Sequence, residues 1–412
     1  MILNDFPYIK AIQVNDCFAY KNFRIDLPNL NGKPFSHLIL TGKNGSGKTT
    51  ILRGVERNIG SKLLGNTSGY ESITTVENVI SNGGDRYPYG SVWENKLFLL
   101  KSVSLYIDKK FNGNIDAKFN EYKGKSIFSF FIANRKANPV EVETLTKEIE
   151  FASKLTLSES TEYFTQQFKQ YLVNKRVQQA FFQLNKDING SEGIEMFFGK
   201  FTKILSRFFE DDALTLVFED KTFEFFVILK DNRKITFNQM SEGFSAFISI
   251  LVDLLIRVDL IRSAVNDNGY EPCGIVLLDE PETHLHIKAQ YDVLPILTEF
   301  FPNVQFIVAT HSPAVISSIK NTTIYDLTQQ ISITDEVVGS SFSELMISHF
   351  GLDNEFSPIA DEIINDVEQA VKENKTDKKQ LKNKIQAILT GNERYLSPTL
   401  RFELESLILE NS

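Results

Sequence analysis

The segment GIVLLDEPETHLH at 274–286 constrains the fold more than any other stretch. Its apolar run carries no alternation of polar residues and reads as a strand buried on both faces, the kind found inside an α/β protein. The run ends in two adjacent carboxylates, Asp279 and Glu280. Ionised groups are costly in a core, so a pair at a strand tip points to a task there rather than to a plain exit into a loop. Three other pieces belong with it: TGKNGSGKTT at 41–50, FNQMSEGF at 237–244 and FIVATHSP at 306–313.

Residues 42–49 match G-x-x-x-x-G-K-[ST] in full. His37–Leu40 reads as the strand that enters this loop, and Thr49–Asn58 as the helix that leaves it, which is the context the motif requires. Gly42, Asn44, Gly45, Ser46, Gly47, Lys48, Thr49 and Thr50 are the expected ATP contacts, because glycines let backbone N–H groups and a helix N-terminus approach phosphate. Lys48 is expected to reach the β- and γ-phosphates, and the Thr49 hydroxyl to coordinate Mg²⁺. Asp279 is the expected second Mg²⁺ residue, and Glu280 the residue that orients or deprotonates the attacking water. Lys48 and Asp279 stand 231 residues apart, too far for a compact GTPase-like domain but suited to a P-loop ATPase with a large insertion.

His311 follows the apolar strand VQFIVA and is expected to sense the γ-phosphate, although a lone histidine is more often a satisfied structural residue. Thr283, His284 and His286 follow the paired acids. A zinc site at the two histidines is disfavoured, since no cysteine lies nearby and the carboxylates are committed to Mg²⁺; an interface role fits better. Ser241, Glu242 and Gly243 open an apolar helix. Ser241 reads as its N-cap, a geometry that also aims a helix N-terminus at a phosphate held by another subunit.

A length of 412 residues allows one large domain or two. Cys17 and Cys273 fit neither a disulfide framework nor a zinc site, which suggests a reducing compartment. MILNDFPYIK has no signal-peptide pattern, and the apolar stretch 244–260 carries Asp253, Arg257 and Asp259, so it reads as a buried helix. The expectation is a soluble, cytoplasmic protein with no membrane association. A net charge of −9 advertises no global nucleic-acid surface, while leaving room for a local groove that binds DNA.

Residues 8–27 read as two strands around an Asn-Asp turn, and 92–107 and 126–134 as strands within a broken stretch that includes SNGGD at 81–85. Residues 140–210 read as helical with a break at 188–193. LTLVFE and TFEFFVIL form a hairpin across Asp220-Lys221, and a helix is expected over 286–300. The tail after 336 reads as helical, with the charge run 372–384 on a solvated face.

These residues resemble the ATP-binding-cassette ATPases, in the branch of RecF, Rad50 and SMC heads. MSEGF stands where that superfamily carries its signature, and THLH at 283–286 where transporters carry a SALD-like D-loop. DEPETHLH followed by ATHSP looks like the ATPase part of OLD-family nucleases, and is similar above all to stand-alone ATPases of Septu and retron-type antiphage systems. SSFSELMISHFGLD at 340–353 adds to that likeness. The resemblance implies an α/β P-loop head with mixed β-sheets, a helical insertion and a helical tail. Its expected parts are 1–138 and 211–335 for the two halves of the head, 139–210 for the insertion and 336–412 for a partner-binding tail. It further implies ATP and Mg²⁺ as ligands and a homodimer, at least, that sandwiches two ATP molecules between one subunit's phosphate loop and the other's Ser241–Gly243. Asn134, after the FSFFIA strand, is the stand-in for a Q-loop glutamine. OLD proteins append a Toprim nuclease; here 77 residues follow position 335 with no D-x-D after an apolar strand, so any cutting is expected from a separate effector nuclease. A RecF-like DNA clamp is the alternative, and THLH speaks against a transporter subunit.

Overall fold

The computed structural model describes residues 5–17, 20–64, 73–81, 92–108, 110, 115–135, 139–142, 161–267, 269–333, 358–373 and 378–410. They divide into two compact units, Met1–Phe342 and Ser343–Ser412. In chain order the strands of the first unit are β1 (Ile9–Cys17), β2 (Tyr20–Asp26), β3 (His37–Thr41), β4 (Val103–Ile107), β5 (Ile127–Phe131), β6 (Thr215–Glu219), β7 (Glu224–Ile228), β8 (Lys234–Thr236), β9 (Gly274–Asp279), β10 (Val304–Ala309), β11 (Thr322–Asp326) and β12 (Ile331–Ile333). Its helices are α1 (Lys48–Leu63), α2 (Ile73–Ser81), α3 (Val92–Ser102), α4 (Ile115–Glu121), α5 (Thr161–Gln166), α6 (Phe168–Leu184), α7 (Ile188–Phe209), α8 (Glu242–Val265), α9 (Ile287–Phe300) and α10 (Pro313–Ile316).

The central sheet has the order β12-β11-β3-β10-β9-β5, parallel except for β12. Every residue of β3, β9 and β10 is buried, which explains their unbroken apolar runs. The phosphate-loop strand β3 and the acid-bearing strand β9 are separated by β10 alone, so the three carboxyl ends open on one crevice. Two polar residues in this core make buried hydrogen bonds. Gln305 accepts from the Ile9 amide at 2.9 Å and donates to the carbonyls of Ile9 and Ser36, tying β1 to β10. The His37 ring accepts from the Phe306 amide at 3.0 Å, and burial pushes its pKa down to about 3.

An antiparallel sheet of order β2-β1-β4 covers the start of the chain. The two expected strands are present, but the Asn-Asp turn is not. Asp16 pairs with Lys21 and Cys17 with Tyr20, so both residues of the expected turn lie within β1; residues 18–19 lie outside the described residues. Asn15 stays in the strand because its amide finds partners on the neighbouring element, the Lys101 carbonyl and the Ser104 hydroxyl, both at 2.9 Å.

Residues 92–102, read as strand, form helix α3, and only 103–107 is extended. Packing overrides strand-like composition here. Asn58 of α1 donates to the carbonyls of Leu100 and Val103 where helix gives way to strand, and α1 approaches so closely that a Cβ on Gly54 would lie 2.6 Å from Val103. The helical break falls at 185–187 rather than 188–193: Asp187 caps α7 by accepting from the Gly190 amide, which draws INGSEG into the helix. The hairpin β6–β7 forms across Asp220-Lys221 as expected, and β8 extends it. SNGGD beyond Ser81 and the segment 340–353 lie outside the described residues.

The second unit contributes α11 (Pro358–Glu373), α12 (Lys378–Gly391) and α13 (Pro398–Glu410), packed around Ile363, Val367, Ile385, Leu389, Leu400 and Leu404. The charge run 372–384 spans the end of α11 and the start of α12, with 374–377 outside the described residues. No described helix is long and apolar enough to cross a membrane.

Candidate functional site

The loop between β3 and α1 turns through left-handed backbone at Gly42 (φ 131°), Gly45 (φ 79°) and Gly47 (φ 83°), which glycine alone adopts freely. A Cβ at Gly42 would lie 2.8 Å from the Thr328 hydroxyl, so that glycine is also fixed by packing. Thr328, just past β11, accepts from the Lys43 amide at 2.8 Å and braces the loop. Helix α1 begins at Lys48 with no capping side chain and no acid in its first turn. Its first N–H groups thus keep the electropositive end that suits a phosphate.

Lys48 folds back on this loop, donating to the carbonyls of Gly42 (2.9 Å) and Lys43 (3.2 Å) and to the Ser46 hydroxyl (3.4 Å). Burial lowers its pKa to about 8, against the opposing pull of Glu280 and Asp279. Thr49 donates its hydroxyl to Asp279, 2.9 Å from Oδ2 and 3.2 Å from Oδ1. Burial raises the pKa of Asp279, and the Thr49 bond works against that rise.

Glu280 adopts φ 46°, a left-handed conformation that costs a non-glycine residue about 1–3 kcal/mol. The turn is held on several sides. The Glu280 amide donates to the Ala309 carbonyl on β10 at 2.8 Å, and its carbonyl accepts from the Thr283 amide and hydroxyl. Arg135, four residues past β5, donates to the carbonyls of Asp279 (2.9 Å) and Glu280 (3.0 Å). Asn134 is exposed, and the contacts to the acidic tip come from its neighbour Arg135.

His311 is half-buried at the end of β10; burial and then the Lys48 charge lower its pKa, which keeps the ring neutral at pH 7. Its loop is anchored by Glu282, whose buried carboxylate accepts from the Thr310 hydroxyl and, at 3.3 Å, from the His311 amide. Ser312 continues this network to Gln290 at 2.6 Å, and Gln290 donates to the Leu285 carbonyl. The segment after the acids and the segment after β10 therefore form one hydrogen-bonded assembly.

Ser241 caps α8, accepting from the Phe244 amide at 3.4 Å. Ser241 and Glu242 are exposed while Gly243 is buried against the turn that follows β9. A Cβ on Gly243 would lie 2.3 Å from the His284 carbonyl oxygen, and His284 itself adopts φ 62°. The structure thus gathers Lys48, Thr49, Asp279, Glu280 and His311 at the carboxyl edge of the sheet, and joins Gly243 to the Thr283–His286 turn. His284 and His286 belong to no group of three or more potential metal ligands among the described residues.

Arg135, Glu282 and Thr328 were not singled out by the sequence. Arg135 and Thr328 lie just past strand ends in no motif, and act through backbone groups that leave no spacing pattern. Glu282 stood inside DEPETH, where a charge bound for burial looks like any loop acid.

The chain is similar to several known proteins. A "Retron Vc95 probable ATPase" from Vibrio cholerae serotype O1 biovar El Tor is 23% identical over 340 residues, 79% of this chain and 63% of the relative. A "Septu protein PtuA" from Bacillus mycoides (strain KBAB4) is 20% identical over 307 residues, 74% of this chain and 38% of its own length. The chain therefore matches less than two thirds of either relative. The crystal structure of an SMC head bound to the C-terminal winged-helix domain of ScpA covers 80% of the chain, with 95% of its own length covered, at 14% identity and a TM-score of 0.38. The family described as "AAA domain, putative AbiEii toxin, Type IV TA system" matches residues 38–317, from β3 through the end of the segment that carries His311, and the chain belongs to this AAA_21 family.

Proposed function

We propose that the chain binds and hydrolyses ATP, that two copies close around the nucleotide, and that this cycle governs a separate effector nuclease in antiphage defence. The observation that carries the reading is the convergence of Lys48, Thr49, Asp279, Glu280 and His311 on the carboxyl ends of β3, β9 and β10. The Gly42–Thr50 loop would wrap the phosphates, with the uncapped start of α1 and Lys48 as counter-charges. Thr49 and Asp279, already within hydrogen-bond distance, would hold Mg²⁺, which supplies neutralising charge to the phosphates. Glu280 would orient the attacking water and take its proton, and neutral His311 would donate a hydrogen bond to the γ-phosphate.

Ser241, Glu242 and Gly243 would serve the nucleotide bound by the partner subunit, since the start of α8 is capped by Ser241 and exposed there. Thr283, His284 and His286 would line the same interface. The named ATPase relatives support hydrolysis, and the retron and Septu names support the setting in defence. Residues 336–412 would offer the surface for the effector.

Purified Glu280→Gln protein should bind ATP, lose turnover and accumulate as a dimer, whereas Lys48→Ala should lose nucleotide. Wild-type turnover in Glu280→Gln would overturn the assignment of the reacting centre. Capture of tagged Glu280→Gln from its native host should bring down a nuclease in fixed ratio; recovery of DNA and repair proteins alone would move the reading to a RecF-like clamp.

A further inference from the structure

The turn at Asp279–Glu280 is held in part by a residue outside every motif, Arg135. The Glu280 carbonyl accepts from the Thr283 amide at 3.2 Å, the Thr283 hydroxyl at 2.7 Å and Arg135 Nη2 at 3.0 Å. Arg135 Nη1 donates to the Asp279 carbonyl at 2.9 Å and to the Ile132 carbonyl at 2.7 Å. One planar guanidinium therefore spans the backbone of both acids and ties them to the end of β5. A lysine ammonium, a point donor on a flexible stem, cannot reproduce that fork.

The placement is costly in itself, because among the described residues the buried Arg135 Nε has no hydrogen-bond partner. A buried donor left unmade works against folding, so the position is not explained by satisfaction of the arginine. What it achieves is definition of a left-handed residue whose side chain must point at one place. We infer that Arg135 is a positioning residue that fixes the Asp279–Glu280 turn and so aims the Glu280 carboxylate at the attacking water. This rests on the reading that Glu280 acts on that water. Burial lowers the arginine to about pKa 10 while Glu282, Asp279 and Glu280 favour its charge, so it remains a cation at neutral pH.

The test is hydrolysis by the full chain in wild-type, Arg135→Ala, Arg135→Lys and Glu280→Gln forms, with ATP affinity and melting temperature measured on each. Both Arg135 variants should lose about 100-fold in kcat, the scale of an ångström-level misplacement, with KM and ATP affinity nearly unchanged. Partial restoration of Arg135→Ala by added guanidinium ion supports the inference. Should the alanine form fail to fold, the lysine form decides. Wild-type kcat in folded Arg135→Lys, or a loss matched by weaker ATP binding, would overturn it. Glu280→Gln separates the two failures: if it turns over normally the functional reading falls, and if it is inactive while the Arg135 variants run at full rate only the present inference falls.

Discussion

The Thr49 hydroxyl donates to the Asp279 carboxylate at 2.9 Å, joining the first turn of α1 to the end of β9 across 230 residues of chain. This contact brings two Mg²⁺-type oxygens together at a point where burial disfavours the carboxylate. Because the folded pKa of Asp279 lies above its unfolded value, the ionised group opposes folding once pH rises past the ordinary carboxylate range. Asp279→Asn should therefore melt no lower than wild type without nucleotide at pH 7. It should lose the Mg²⁺-dependent rise in melting temperature that ATP gives, a linkage worth about 2.7 kcal/mol at a hundredfold excess over Kd. A marked fall in the nucleotide-free melting temperature would show that the carboxylate is structural.

Lys48 carries a second pH signature. Its pKa of about 8 lies below the usual lysine value through burial, so in the nucleotide-free protein it begins to lose its proton just above neutrality. Phosphate oxygens beside the ammonium would restore the higher value. ATP binding should then take up a proton between about pH 8 and the ordinary lysine pKa of about 10.4, and affinity should weaken as pH rises through that window. Calorimetry in buffers of differing ionisation enthalpy reads the uptake directly, and Lys48→Arg should abolish it.

Gly243 offers a test of the proposed dimer. A Cβ there would lie 2.3 Å from the His284 carbonyl oxygen, a backbone atom that cannot swing aside. Gly243→Ala should displace either the start of α8 or the Thr283–His286 turn, at an overpacking cost of about 1–3 kcal/mol. The phosphate loop is built from other elements, so ATP binding by the monomer should persist. Hydrolysis should fall, and in a Glu280→Gln background the ATP-trapped dimer should no longer form on light scattering.

The difference between what sequence showed and what it hid follows the kind of interaction. β3, β9 and β10 were legible because strands buried on both faces leave continuous apolar runs, and the Gly42–Thr49 loop because its backbone demands glycines at set positions. Ser241 was legible as a cap because the signal is local. Residues 92–102 were misread because their helix is decided by packing on α1, through Gly54 and Asn58 some 40 residues away. Arg135 and Thr328 stayed hidden because each bonds backbone atoms, and any residue type presents the same backbone to them.

Helix α8 is held by a buried ion pair. Arg257 donates to the fully buried Asp253 through Nε (2.7 Å) and Nη2 (3.1 Å), and Ser129 of β5 donates to the same carboxylate at 2.9 Å. The guanidinium also lies 4.5 Å from the centre of the Phe164 ring in α5. This cluster locks the helix that starts at Ser241 to the strand that leads to Arg135. Removing Arg257 takes the ion-pair partner from a fully buried carboxylate, so Arg257→Met should cost about 3–5 kcal/mol in urea unfolding. Replacing both residues by apolar side chains, as in Asp253→Leu with Arg257→Met, should be far milder, because two desolvation costs vanish together. If the double variant is as unstable as the single one, the cluster is held by packing around Phe164 rather than by charge. If it is stable yet hydrolyses ATP slowly, the ion pair serves to set the direction of α8, and with it the place of Ser241.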